Sequence, residues 1–298
     1  MAVATPNYEG ADILQQEVEK PWITVLKRYS RHRLAVASTI LLALIFILSL
    51  GAPIFSSWDP NRIDLSVKDN PPSLSHIMGT DYNGRDVYTR ILYAGRVSLS
   101  IALAVVLIGD GVGVVVGVIS GFFGGWVDAT IMRIVDFMLT LPFLPILLVL
   151  ITIFDPSISL LVIVLIVFQW TGSARLIRGQ ILSIREREYI EASRALASSK
   201  ARIMFVHLVP NALAPIIVNM SLNLSGVIIS EAALSFLGFG VQPPDASWGN
   251  MLQQVSLTVL DKYPWQAFFP GLMIFLASLC FNFIGDGLRD ALDPRMKL

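Results

Sequence analysis

Six stretches of this chain stay apolar long enough to cross a bilayer as helices, and the polar segments between them are very unequal in length. Crossing about 30 Å of hydrocarbon takes about 20 helical residues with few or no charges. Residues 34–55 meet that test without a charged side chain, and residues 97–122 meet it with Asp110 as the one interruption. Residues 137–154 and 157–174 follow, separated by Asp155 and Pro156, which leave room only for a tight turn. Residues 211–236 and 265–284 complete the set. The pattern predicts an all-α membrane protein with six transmembrane helices, and the even number puts both termini on one side. The expected organisation is a tail over 1–33, a first helix over 34–55, a loop over 56–96, a five-helix core over 97–284 containing a polar loop over 175–211, and a tail over 285–298.

Composition strengthens the membrane reading. Hydrophobic residues make up 54% of the chain and charged ones 15%, with a mean hydropathy of +0.67, more apolar surface than a soluble fold needs. The 22 basic and 22 acidic residues cancel, so nothing favours a nucleic-acid partner. Their distribution is more informative. Sixteen Lys and Arg fall in 1–33, 121–133, 172–211 and the tail from 285, against six in 56–96 and the last long loop. The positive-inside rule then makes both termini and the 175–211 loop cytoplasmic and the 56–96 loop extracytoplasmic. Glu9, Asp12, Glu17 and Glu19 precede the first basic residue, Lys20, which is unlike a secretory signal. The first apolar run therefore reads as a retained helix, anchored by Lys27, Arg28, Arg31 and Arg33. The single cysteine, Cys280, sits in an apolar run and reads as a packed thiol.

Polar and small residues inside the apolar runs carry the next expectations. Gly109, Gly113, Gly117 and Gly121 recur every four residues, the spacing that lets helix backbones approach closely in lipid. They are not a phosphate loop, because the chain has no Gly-rich stretch ending in Gly-Lys-Ser/Thr. Asn219, Asn223, Gly226 and Ser230 fall within about 60° of one helix face. A polar strip is costly against lipid, so it faces a wet pathway or another helix. Glu231 lies near the outer boundary and reads as a side chain snorkelling to water. Arg133 and Asp136, three apart, can pair with each other. His32, His76 and His207 lie in separate regions, giving no metalloprotease pattern, and Gly79 to Asp86, GTDYNGRD, reads as a rigid outer turn because it lacks an EF-hand's spacing.

The polar loop is the most specific feature. Glu191, Ala192 and Ser193, then Ala197, then His207, Leu208, Val209 and Pro210 preserve the spacing of a cytoplasmic E-A-A, three residues, G, nine residues, I-x-L-P pattern. The segment resembles the EAA motif of ABC importer permeases, with Ser193 for alanine, Ala197 for glycine, His207 for isoleucine and Val209 for leucine. Alanine at 197 opposes a left-handed turn there, and Ser198 or Ser199 are alternative places for it. The Ala232-Ala233 pair after Glu231 mimics the motif by chance, with Leu237 at its glycine position.

Four longer blocks extend the resemblance: GTDYNGRDVYTRILYAGRVSLSIA from Gly79, HLVPN from His207, ALSFLGFGVQPPDASWGNML from Ala233 and FNFIGDGLRDALDPRMK from Phe281. They are similar to the second permease subunit of dipeptide, oligopeptide and nickel importers. The resemblance implies a type I ABC importer permease fold in a bacterial inner membrane. It also implies a homologous permease, two ATPase subunits that bind ATP and Mg, an extracytoplasmic solute-binding protein and a peptide substrate, with no cofactor or metal in this chain itself. Its coupling residues would be Arg187, Glu191, Ala192, Ser193, Arg194 and Ala197, with Pro210 marking re-entry into the membrane. The alternatives are a secondary transporter, for which Asp110 is the candidate carboxylate, and a membrane scaffold.

Overall fold

A computed structural model of the protein describes residues 21–255 and 257–293. The acidic N-terminal stretch, Arg295 and Lys297 lie outside the described residues. The described residues are mostly helical, with one isolated bridge between Thr80 and Asp86 in place of a sheet. In chain order the helices of six residues or more are α1 (Pro21–Arg31), α2 (Arg33–Leu50), α3 (Val87–Phe123), α4 (Gly125–Thr140), α5 (Phe143–Ile153), α6 (Ile158–Arg185), α7 (Glu188–Ala195), α8 (Lys200–Phe236), α9 (Trp248–Gln253), α10 (Leu257–Lys262) and α11 (Trp265–Leu292). Five of them, α2, α3, α6, α8 and α11, are long and apolar enough to cross a membrane, and the count reaches six if α4 and α5 together form one span.

The expected third crossing, 137–154, is not one straight helix. α4 and α5 meet at 79°. Pro142 is the cause: its ring pushes Leu141 out of the helical region, to φ −71° and ψ 127°, and it has no N–H to continue the ladder.

Two other boundaries move. α3 starts ten residues before position 97 because the Asp86 carboxylate caps it, accepting from the Thr89 amide at 2.8 Å. It ends at Gly124, whose φ of +63° suits glycine. The 175–211 loop is mostly helix, since α6 runs on to Arg185 and α8 begins at Lys200, where Ser199 caps it. Pro210 therefore does not begin a helix. It follows a π-turn, Ile203–Leu208, inside a helix already under way.

α3 packs along α6, α8 packs along α11, and α2 packs on both α11 and the first half of α3. The glycine stripe sets the first of these contacts. A Cβ on Gly113 would lie 2.6 Å from the Trp170 carbonyl, one on Gly117 2.6 Å from the Ala174 carbonyl, and one on Gly121 2.8 Å from Ile181 Cβ. Outward-facing Ile40, Leu44, Ile47, Val115, Ile163 and Phe275 are exposed, as lipid-facing side chains are. Cys280 is buried.

At the end of the bundle opposite α7, the Gly79–Asp86 turn is held by its own aspartates. Asp81 accepts from the amides of Asn83 and Arg85, both at 2.9 Å, and from Arg85 Nε at 2.7 Å. Gly84, at φ +73°, passes so close to Asp64 that a Cβ would fall 1.8 Å from its carbonyl oxygen. His76 stacks on Trp58 and bonds Asp86 at 2.9 Å. Beside them the Ser66 hydroxyl holds the Asp64 carboxyl below the usual carboxylate range.

Candidate functional site

α7 is a two-turn helix whose position is fixed from below. Ile190 is fully buried and Ser193 nearly so, seated on a cluster that includes Ile181, Ile184, Ile203 and Leu208. Glu188 and Glu191 in the first turn and Arg194 in the last oppose the helix dipole favourably. Tyr189, Ala192 and Leu196 are exposed, Leu196 by 82%, and their spacing of three and four puts them on one face. Glu191 and Arg194 are exposed beside that face, and Arg187 precedes the helix as its cap residue. Of the motif residues on α7 itself, Ser193 alone turns inward.

The end of α7 shows why the motif has glycine at its seventh position. The Ser198 amide bonds the Ser193 carbonyl at 3.2 Å and the Ala197 amide bonds the Arg194 carbonyl at 2.9 Å. This is the six-to-one and five-to-two pair of a Schellman cap, which needs a left-handed residue after the helix. Ala197 supplies it, at φ +55°. The turn thus sits at 197 itself and not at Ser198 or Ser199.

Just before α7, the last turns of α6 are tied to α3 and α4. Arg178 forks onto Asp128, which also accepts from Ser120, and Arg185 Nη1 donates to the Gly121 carbonyl at 2.8 Å. Asp136 pairs with Arg175 of α6. The expected Arg133–Asp136 pair is therefore not formed, because the α6 guanidinium lies nearer and Arg133 points outward.

The polar strip on α8 divides into two halves. Asn223 Nδ2 donates to Asp110 Oδ1 and Oδ2 at 3.0 and 2.9 Å, and Asn219 Nδ2 donates to Ser173 Oγ at 2.9 Å. Asp110 also accepts from Ser173 Oγ at 2.7 Å and Gln169 Nε2 at 3.0 Å, joining α3, α6 and α8 at the π-turn Val106–Asp110 of α3. Further along, Ser230 Oγ bonds only its own helix, at the Gly226 carbonyl, and a Cβ on Gly226 would meet nothing within 4 Å. Gln169 and Ser173 were not singled out in the sequence, although their spacing of four on one face was visible.

Glu231 does not snorkel. It is fully buried, accepting from Ser98 Oγ at 2.9 Å and Ser235 Oγ at 2.7 Å. Ser98 in turn accepts from the Trp248 amide at 3.2 Å, and Ser235 from the Val241 amide at 3.2 Å. The carboxylate faces α3 and the loop folded back before α9, which shield it from water. Among the described residues no three His, Cys, Asp or Glu side chains gather as a metal cage.

A long apolar helix bundle that presents one short, exposed helix between two crossings is the form of a transporter's membrane subunit. Residues 113–298 match the family described as binding-protein-dependent transport system inner membrane component, and residues 20–72 match the N-terminal TM domain of oligopeptide transport permease C. The chain belongs to that first family and has its type I importer permease fold. It is 42% identical over 279 residues, 93% of this chain and 92% of the relative, to a Brucella suis biovar 1 protein described as a peptide permease. It is 37% identical over 294 residues, 99% and 96%, to the oligopeptide transport system permease protein OppC of Bacillus subtilis. With the dipeptide transport system permease protein DppC of the same organism it shares 38% over 271 residues, 91% and 85%. None of these relatives favours a gradient-driven carrier or a scaffold.

Proposed function

We propose that the chain is the permease subunit of an ATP-driven peptide importer in a bacterial inner membrane, with both termini cytoplasmic and no ATPase site of its own. It pairs with a homologous permease, receives peptide from an extracytoplasmic solute-binding protein and docks through α7 on one of two ATPase subunits that carry the ATP and Mg. The observation that carries this reading is α7 itself: a helix anchored by buried Ile190, with Tyr189, Ala192 and Leu196 free on its outer face. Apolar residues at such spacing are what a helix offers to a groove on a partner, with Arg187, Glu191 and Arg194 as orienting charges beside them. ATP binding that closes the ATPases would move α7, and the Arg185–Gly121 and Arg178–Asp128 ties would carry the movement into α3, α4 and α6. ATP then acts by shifting the balance between inward-open and outward-open states. Gly226 and Ser230, with Asn219 and Asn223 beneath them, line half of the pathway.

Purification through a tag on this chain tests the assembly, with two nucleotide-binding subunits expected to co-elute. In proteoliposomes, Glu191→Ala or Ala197→Trp is expected to leave insertion intact and to uncouple ATP hydrolysis from uptake. An isolated chain that moves peptide on a proton gradient would sink the proposal.

A further inference from the structure

Three carboxamides, Asn219 and Asn223 on the strip and Gln169 on α6, have their direction set by one buried carboxylate. Asp110 is wholly inaccessible, and its two oxygens take hydrogen bonds from Gln169 Nε2, Ser173 Oγ and Asn223 Nδ2. A group that accepts on both oxygens leaves a neighbouring amide one choice: the NH₂ end turns toward it and the C=O end turns away. Ser173 gives its single proton to Asp110, so its oxygen is left to accept from Asn219 Nδ2, and this third carboxamide is turned the same way. The carbonyl oxygens of Gln169, Asn219 and Asn223 accept from no described residue, yet none is among the buried, unpartnered atoms. All three residues are half-buried, so these oxygens keep some access, and Asn219 and Asn223 share their helix face with the uncovered Gly226.

We propose that Asp110 is a positioning residue that lines the pathway with oriented hydrogen-bond acceptors, selecting for solutes that present N–H groups, namely the ammonium terminus and backbone amides of a peptide. The inference rests on reading the strip as pathway. A peptide leaving water must keep its donors satisfied or lose the worth of each bond, and a row of carbonyl oxygens satisfies them. The carboxyl group that orients the row stays out of reach, so the ammonium group meets neutral oxygens that release it. Binding along a conduction path has to be weak enough to leave.

Uptake of a dipeptide and of its N-acetylated form is compared for the complete reconstituted transporter carrying either native Asp110 or Asp110→Asn, with the binding protein saturated. The same binding protein serves both transporters, so its own selectivity cancels when their preferences are divided. Asparagine at 110 can donate as well as accept, which frees its neighbours to turn, and the preference for the free amine is expected to fall about three- to tenfold. Ser173→Ala removes one donor to Asp110 and the acceptor of Asn219 while leaving the carboxylate in place. It is expected to move the preference about two- to fivefold in the same direction, and it supplies the readout should Asp110→Asn fail to assemble. A residue that only holds the bundle together would lower uptake of both solutes alike, and an unchanged preference in both variants overturns the inference. The pathway reading is checked separately with Gly226→Cys and Ser230→Cys in a Cys280→Ser background. Labelling by a membrane-impermeant thiol reagent that changes with ATP supports that reading. Absence of labelling in every state overturns it and the inference together, whereas labelling with an unchanged solute preference overturns the inference alone.

Discussion

Ala197 holds a left-handed backbone, at φ +55°, that its methyl group opposes by about 1–2 kcal/mol. The Schellman bonds from Ser198 and Ala197 hold it there, so a sequence that departs from glycine still makes the glycine turn. Ala197→Gly should stabilise the subunit by about 0.5–1 kcal/mol, after glycine's extra freedom in the unfolded chain is subtracted. A small rise in the melting temperature of the purified complex, with coupling retained, would show it; a fall would mean the cap is not strained. Glu231 is a second residue whose environment decides its part. Removing its carboxylate leaves the Ser98 and Ser235 hydroxyls without an acceptor, and Glu231→Ala is expected to cost about 1–3 kcal/mol. Glu231→Gln, which keeps one acceptor oxygen, should cost less in the same melting experiment. A snorkelling side chain would tolerate both.

Helices in this chain were legible where one residue type repeats and illegible where a single residue redirects the backbone. The four-residue glycine period can be read directly, but that it abuts Trp170, Ala174 and Ile181 of α6 is a fact of tertiary packing. Asp86 as a cap and Pro142 as a break are local signals. Hydropathy averages pass over both, so the early start of α3 and the bend in the third crossing did not show in the pattern. The partner of Asp136 and the surroundings of Glu231 depend on residues 39 and 133 positions away, beyond the reach of any local pattern. The stripe makes a paired prediction. Gly113→Ala should destabilise by about 1–3 kcal/mol, since its Cβ would meet backbone at 2.6 Å. Gly172→Ala, on the facing helix with nothing within 4 Å, should stabilise by about 0.5–1 kcal/mol. Equal effects of the two in thermal unfolding would mean the α3–α6 approach is not the close one described.

For the whole molecule, the hydrophobic pattern shows a helical membrane protein and the loop spacing shows its family, because both are repeated or contiguous features. The candidate site was legible on its exposed side only. Glu191, Ala192 and Arg194 stand out in the motif, whereas Ile190, which anchors α7, and the Asp110 network, which binds three helices together, become visible only once the chain is folded. The central claim is that α7 is the surface through which this subunit meets an ATPase. A photo-crosslinking residue at Leu196, with one at fully exposed Leu74 on the opposite end as control, tests it most directly in membranes containing the assembled transporter. The account predicts a cross-link from position 196 to an ATPase subunit, with a yield that changes on adding ATP, and none to that subunit from position 74. Cross-linking of position 196 to lipid alone, or of position 74 to the ATPase, would contradict it.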